Sequence, residues 1–154
     1  MLKRFLTKSC VALALVSCAL LHPVAYAADD NSPVGYWESF DDRTHTPKAI
    51  IQIFTNPDSS LSGKIVKKLV ETGGDTCGHC TGALHNAPFK GLVILSGMKP
   101  VDNAWEGGSI MDPASGKVYH CRMKVARDQL EVRGFIGVSL FGRSQIWKRV
   151  SAPG

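Results

Sequence analysis

The stretch Trp105-Glu106-Gly107-Gly108-Ser109-Ile110-Met111-Asp112-Pro113-Ala114-Ser115-Gly116-Lys117-Val118-Tyr119-His120-Cys121, continued further on by Gly134-Phe135-Ile136-Gly137-Val138-Ser139-Leu140-Phe141-Gly142-Arg143-Ser144-Gln145-Ile146-Trp147, decides the fold. Short runs rich in Ile, Val, Tyr, Phe and Trp alternate with turn residues, and no helical segment separates them. In the run from Lys117 to Ala126, Tyr119, Cys121, Met123 and Val125 fall on one face, and Val118, His120, Arg122 and Lys124 on the other. Leu130, Val132, Gly134 and Ile136 repeat the apolar row in the next run. Successive strands that each bury one face are what a closed sheet requires, so Cys121 is expected inside and its neighbour His120 outside.

Outward from this stretch, the predicted strands are Val34 to Phe40, Ala49 to Phe54, Leu61 to Leu69, Leu92 to Met98, Ala104 to Met111, Lys117 to Ala126, Gln129 to Ile136 and Arg143 to Val150. Asn56-Pro57-Asp58-Ser59-Ser60, Asp112 to Gly116 and Arg127-Asp128 supply turns: Pro presets φ, Gly permits positive φ, and Asp or Asn bonds its own backbone. Gly107-Gly108 suits a strand that bends at a corner. Eight runs joined mainly by short turns make an antiparallel meander, which loses its exposed edges by closing on itself. The predicted fold is therefore all-β, an eight-stranded antiparallel up-and-down barrel. Glu71 to Gly91, rich in Gly, Cys and His, is too long for a hairpin turn and forms one long Cys-containing loop of the kind that carries function or covers a cavity mouth.

Gly35-Tyr36-Trp37 on the first strand, Leu61-Ser62-Gly63-Lys64-Ile65 on the third and Asn86-Ala87-Pro88-Phe89-Lys90-Gly91-Leu92 entering the fourth, together with the opening stretch, resemble the bacterial family known as domain of unknown function 2147. The resemblance spans nearly all of residues 28–154 and implies an exported protein with a lipocalin-like (calycin-like) barrel and no established biochemical activity. Gly-x-Trp on a first strand is also similar to the start of a lipocalin, where the Trp closes one barrel end and an Arg of the last strand packs across its ring. By that resemblance Trp37 is the plug and Arg149 or Arg143 its partner. The long loop matches the family only in part, since many relatives lack its cysteine pair.

The amino terminus reads as a signal peptide. Lys3, Arg4 and Lys8 precede an apolar run from Val11 to Leu21, His22-Pro23 breaks it, and Ala25-Tyr26-Ala27 offers a small-x-small cleavage pattern. Cleavage is expected after Ala27, giving a signal peptide of residues 1–27, a single domain over residues 28–154, and a periplasmic or secreted product. The run of 11 apolar residues falls short of the ~20 a spanning helix needs, so no transmembrane segment is expected after cleavage. The alternative is a lipoprotein processed at Cys18 within Leu15-Val16-Ser17-Cys18, although the apolar run continues through Ala19-Leu20-Leu21. Removing the signal peptide leaves 15 basic against 13 acidic residues, a net charge of +2 rather than +5. A near-neutral domain whose one local basic cluster is Lys64, Lys67 and Lys68 gives no footprint for nucleic acid.

Asp75-Thr76-Cys77-Gly78-His79-Cys80 contains the four-residue unit of disulfide-exchange sites but lacks the strand-helix-strand setting that activates such thiols. Thr81 stands where covalent haem attachment needs His. Three cysteines remain after cleavage, and an oxidising compartment favours a Cys77–Cys80 disulfide with Cys121 reduced inside the barrel. A bridge from Cys121 to either loop cysteine, and a redox or metal role, are the alternatives. For metal, Cys77, His79, Cys80 and His85 offer ligands soft enough for zinc or copper, crowded within nine positions. His45 and His120 read as surface histidines, and no acid-base pair, Ser-His-Asp set or phosphate loop can be assembled.

The functional reading is a non-enzymatic envelope barrel without a cofactor. Its cavity, expected around Trp37, Tyr119, Cys121, Met123, Leu130 and Val132, takes a small hydrophobic or amphipathic ligand. The alternative is an envelope redox or metal-handling protein acting through the Cys77–Cys80 loop.

Overall fold

Eight strands form in chain order: β1 (Gly35–Phe40), β2 (Pro47–Thr55), β3 (Leu61–Lys68), β4 (Val93–Val101), β5 (Ala104–Asp112), β6 (Lys117–Ala126), β7 (Gln129–Phe135) and β8 (Arg143–Val150). Each pairs antiparallel with the next, and β8 returns to β1 through Tyr36↔Val150, Trp37↔Arg149 and Glu38↔Lys148, so the sheet closes as the sequence predicts. The computed structural model describes residues 31–71 and 73–154. The predicted signal peptide, its cleavage point after Ala27 and the alternative lipid site at Cys18 lie outside the described residues.

Strand boundaries fall within two residues of the sequence reading except at the end of β4, and the differences at the ends of β4 and β7 have identifiable causes. β4 runs on to Val101 because Lys99, Pro100 and Val101 pair with Glu106, Trp105 and Ala104 across a tight turn at Asp102-Asn103, where Asp102 takes a φ of 52°. β7 ends at Phe135, and Ile136, expected in the inward row, stands in the following loop, exposed. The chain leaves the sheet there because Gly137, at a φ of 73°, turns it into a short 3-10 segment, Ser139–Phe141. A second 3-10 turn, Gly82–Leu84, lies in the long loop.

Alternation sorts the side chains as pleating demands: Cys121 and Met123 are buried on β6, while Val118, His120 and Lys124 are exposed. Gly107, at a φ of 78°, sits in a register shift between Trp105 and Gly108 and bends β5. There a Cβ on Gly108 would run into the Ser96 carbonyl and the Met98 sulfur, so only glycine lets β4 and β5 approach this closely.

Antiparallel order gives the barrel two unlike ends. At one, the connections β2–β3, β4–β5 and β6–β7 are short, and the barrel is filled by Trp37, Ile53, Leu61, Leu95, Met98, Met123 and Leu130, all buried. Trp37 forms the floor, donating its indole N–H to the Pro33 carbonyl at 2.7 Å, and the Arg149 guanidinium stacks over its ring at 4.2 Å. Arg149 in turn donates to the carbonyls of Ser32 (2.8 Å) and Val34 (3.3 Å), tying the chain before β1 to the last strand. Of the two candidate arginines, Arg149 is thus the one that packs on Trp37, and Arg143 lies at the opposite end. At that opposite end, the connections at residues 41–46, 69–92, 113–116 and 136–142 surround a mouth.

Candidate ligand-binding cavity

Below the mouth the barrel is hollow. A cavity of about 720 Å³ occupies its open half, within the several-hundred-Å³ range of small-molecule sites. Its wall is apolar, built from inward residues of seven strands: Ala49 and Ile51 (β2), Ile65 (β3), Ile94 (β4), Ile110 (β5), Tyr119 (β6), Val132 (β7) and Trp147 (β8). Ser39 on β1 completes the circuit, donating to the Ala49 carbonyl at 3.2 Å.

Of the six residues expected around a cavity, Tyr119 and Val132 lie on its wall. Trp37, Cys121, Met123 and Leu130 instead pack in the filled half, with at most 1% of their surface exposed. Alternation turns Tyr119, Cys121, Met123, Leu130 and Val132 inward, and the resemblance supplies Trp37, but neither says anything of depth. Depth is set by where large side chains such as Trp37, Met98 and Met123 choke the barrel.

Charged and polar groups ring the rim: Asp42, Lys48, Lys68, Asp112, Arg143 and Gln145. Asp42 draws two of these groups together, accepting from Arg143 at 2.9 Å and from Gln145 at 2.9 Å, while Gln145 accepts the Trp147 indole N–H at 3.1 Å. From the sequence, Arg143 is considered only as a partner for Trp37, Lys68 only as part of a basic cluster and Asp112 only as a turn residue, and none of the six is read as rimming a cavity. A signal existed on β8, since Arg143 and Gln145 share the inward phase of Trp147 and so are polar residues in an apolar row. Lys68 had no such signal, because its inward turn depends on a register shift between Ile50 and Ile51 that brings it opposite Ala49.

The loop at residues 69–92 reaches over the rim, contributing Gly73, Thr76, Gly78, His79 and Phe89 to the cavity lining. Its backbone is internally bonded: Cys77 N–H to Ala87 O (2.9 Å), Asn86 N–H to Cys77 O (2.9 Å) and Phe89 N–H to Asp75 O (2.8 Å). Lys68 holds it to the barrel, its ammonium donating to the Gly74 carbonyl, pairing with Asp75 at 3.4 Å and sitting 5.9 Å from the Phe89 ring.

Cys77 and Cys80 form a disulfide with Cα atoms 5.3 Å apart, and both are buried. Their sulfurs have no proton to donate, so their positions 3.5 Å from the Pro113 carbonyl oxygen and 3.7 Å from the Met111 sulfur are packing contacts with the end of β5 and its turn. Gly116, at a φ of 69°, completes that seat: a Cβ there would strike the His79 carbonyl. Of the proposed metal set, the two sulfurs are spent on each other, His79 is exposed, and His85 Nδ1 lies 3.1 Å from the Cys80 carbonyl oxygen. Among the described residues no three metal-ligating side chains gather.

Cys121 is free and buried, and burial alone pushes its thiol up to about 12. The thiolate is the reactive form, so the folded protein should leave Cys121 unmodified by iodoacetamide at about pH 8, whereas denaturant should allow complete modification without prior reduction. Peptide mass mapping checks this; modification of the folded protein, or a requirement for reductant, would refute it.

Among curated proteins, none matches the chain. A solved structure described as "Protein HP1028 from the human pathogen Helicobacter pylori belongs to the lipocalin family" superposes with a TM-score of 0.67 at 18% identity, covering 78% of this chain and 84% of that one. At that identity the likeness is one of fold. The family described as "Uncharacterized protein conserved in bacteria (DUF2147)" matches residues 35–149, from the glycine that opens β1 to the arginine that stacks on Trp37. The chain belongs to this family, and its barrel is lipocalin-like.

Proposed function

We propose that the protein is an exported, non-enzymatic binder of the cell envelope that holds a small amphipathic molecule in the open half of its barrel. The observation that carries this reading is the cavity itself: about 720 Å³, apolar along the strands and charged only at the rim. A protein of this size gains stability by filling its core, and the other half of this barrel is filled. An apolar hollow with a charged rim suits a ligand whose tail leaves water while its polar end stays at the surface.

Export is supported by the tripartite amino terminus and by a disulfide of the kind that oxidising compartments favour. A non-enzymatic role is supported by the chemistry of the cavity wall. Among the described residues of the lining, the Ser39 hydroxyl is bonded to the Ala49 carbonyl and not to a base, and Cys121 lies off the cavity with its thiol pushed up by burial.

Native mass spectrometry of the protein purified gently from its own envelope tests the proposal. One additional mass per barrel is expected, released when the protein is extracted with organic solvent. A barrel of bare polypeptide mass under those conditions would contradict it.

A further inference from the structure

The connection between β7 and β8 presents apolar side chains to solvent. Ile136, Val138, Leu140 and Phe141 are 74, 60, 78 and 81% exposed, four large hydrophobic residues within six positions. Soluble proteins scatter such residues singly; a cluster marks a contact surface. Nothing about the barrel requires this cluster, since β7 and β8 pair through Gly134↔Arg143 without it.

The loop is also tied to β7 and to itself by hydrogen bonds. Arg133 on β7 donates its Nε to the Ser139 carbonyl at 2.7 Å, one Nη to the Leu140 carbonyl at 3.1 Å and the other to Ser144 Oγ at 2.9 Å. The amide of Phe141 donates to Val138 O at 3.3 Å and that of Gly142 to Ser139 O at 3.1 Å. The carbonyls of Val138, Ser139 and Leu140 are therefore satisfied inside the loop. A backbone that enters lipid must meet this condition, because no water is there to accept or donate.

We infer that the tip at residues 136–141 is a membrane-docking element that inserts its apolar side chains into the surface of a lipid bilayer. Charge favours this partner. From Val132 to Gly142 the chain carries no acidic residue, and Arg133 and Arg143, which flank the tip, place two cationic groups at its base where lipid phosphates would lie. Asp42, paired with Arg143, is the one carboxylate bound to this set in an ion pair among the described residues. Area argues against a stable protein partner, because one six-residue loop is far below the roughly 20–30 residues a side of a lasting interface. Position adds to the case: Gly134 and Arg143, the residues that bracket the loop, line the cavity, so a barrel docked by this tip turns its mouth toward the bilayer.

The docking inference stands apart from the ligand reading, and its test separates the two. Flotation of the protein with vesicles of phosphatidylethanolamine and phosphatidylglycerol is compared for wild type, the double variant Leu140→Asp with Phe141→Asp, and the cavity-filling variant Ala49→Trp, each checked for native circular dichroism. Wild type and Ala49→Trp should float alike, and the double variant should lose binding roughly tenfold or more, since burying a Leu or Phe each accounts for about that factor. The inference is overturned if wild type stays at the bottom of the gradient, if the double variant floats equally well, or if sedimentation equilibrium shows a dimer that the double variant dissolves while no form binds vesicles.

Discussion

Trp37→Ala should lower the unfolding free energy by about 3–5 kcal/mol, the range for deleting a large buried aromatic side chain. Trp37 is wholly buried, so its removal opens a void in the filled half that its neighbours on β2 and β8 are too constrained by strand pairing to close. Two further losses compound the void. The Pro33 carbonyl loses its indole donor, and the Arg149 guanidinium, held by the Ser32 and Val34 carbonyls, is left facing a hole instead of a ring. Against a typical total of roughly 5–15 kcal/mol, such a loss takes much of the stability.

Urea denaturation provides the measurement, read as a fall in midpoint at constant slope. Trp37→Phe separates the contributions: it keeps an aromatic face for Arg149 and loses mainly the hydrogen bond and some volume, so its cost should be clearly smaller. A loss below about 1 kcal/mol for Trp37→Ala, the size of a single net hydrogen bond, would mean that the floor is not what holds the closed end together.

The fold was legible because its cause is local. Strands of period two and turn residues at Asn56–Ser60, Asp112–Gly116 and Arg127-Asp128 specify pairing between sequence neighbours, and a meander needs no long-range information until β8 meets β1. The inward facing of Cys121 and outward facing of His120 follow from the same period. The resemblance of Gly35-Tyr36-Trp37 to a lipocalin start gave the floor and narrowed its arginine to two, and the structure selects Arg149.

The site was less legible because it depends on quantities that a period does not encode. Where the barrel is hollow depends on the summed volumes of side chains from eight strands. Whether Lys68 turns inward depends on one register shift. The exposed tip escaped notice because Ile136 and Leu140 look like core residues when only hydrophobicity is counted; their exposure follows from Gly137, which turns the chain off the sheet, and from Arg133, which fixes it there.

Ala49→Trp carries the second large effect. Ala49 faces the cavity from β2 beside Ile51 and Ile65, and the extra ring projects into empty space instead of into packed neighbours. Filling that space should remove the volume a ligand needs while leaving stability near wild type, in contrast to overpacking a filled core, which costs about 1–3 kcal/mol. Val101→Trp, at the exposed turn of the opposite end, is the matched control for an added tryptophan.

The most direct test is a fluorescence titration of these three proteins, wild type, Ala49→Trp and Val101→Trp, with a dansylated fatty acid. One saturable site per barrel is expected in wild type and in Val101→Trp with equal affinity, and a fall of at least about tenfold, 1.4 kcal/mol or more, in Ala49→Trp. Equal affinity in all three proteins, or no saturable binding by the wild type, would contradict the assignment of the open half of the barrel as the binding site.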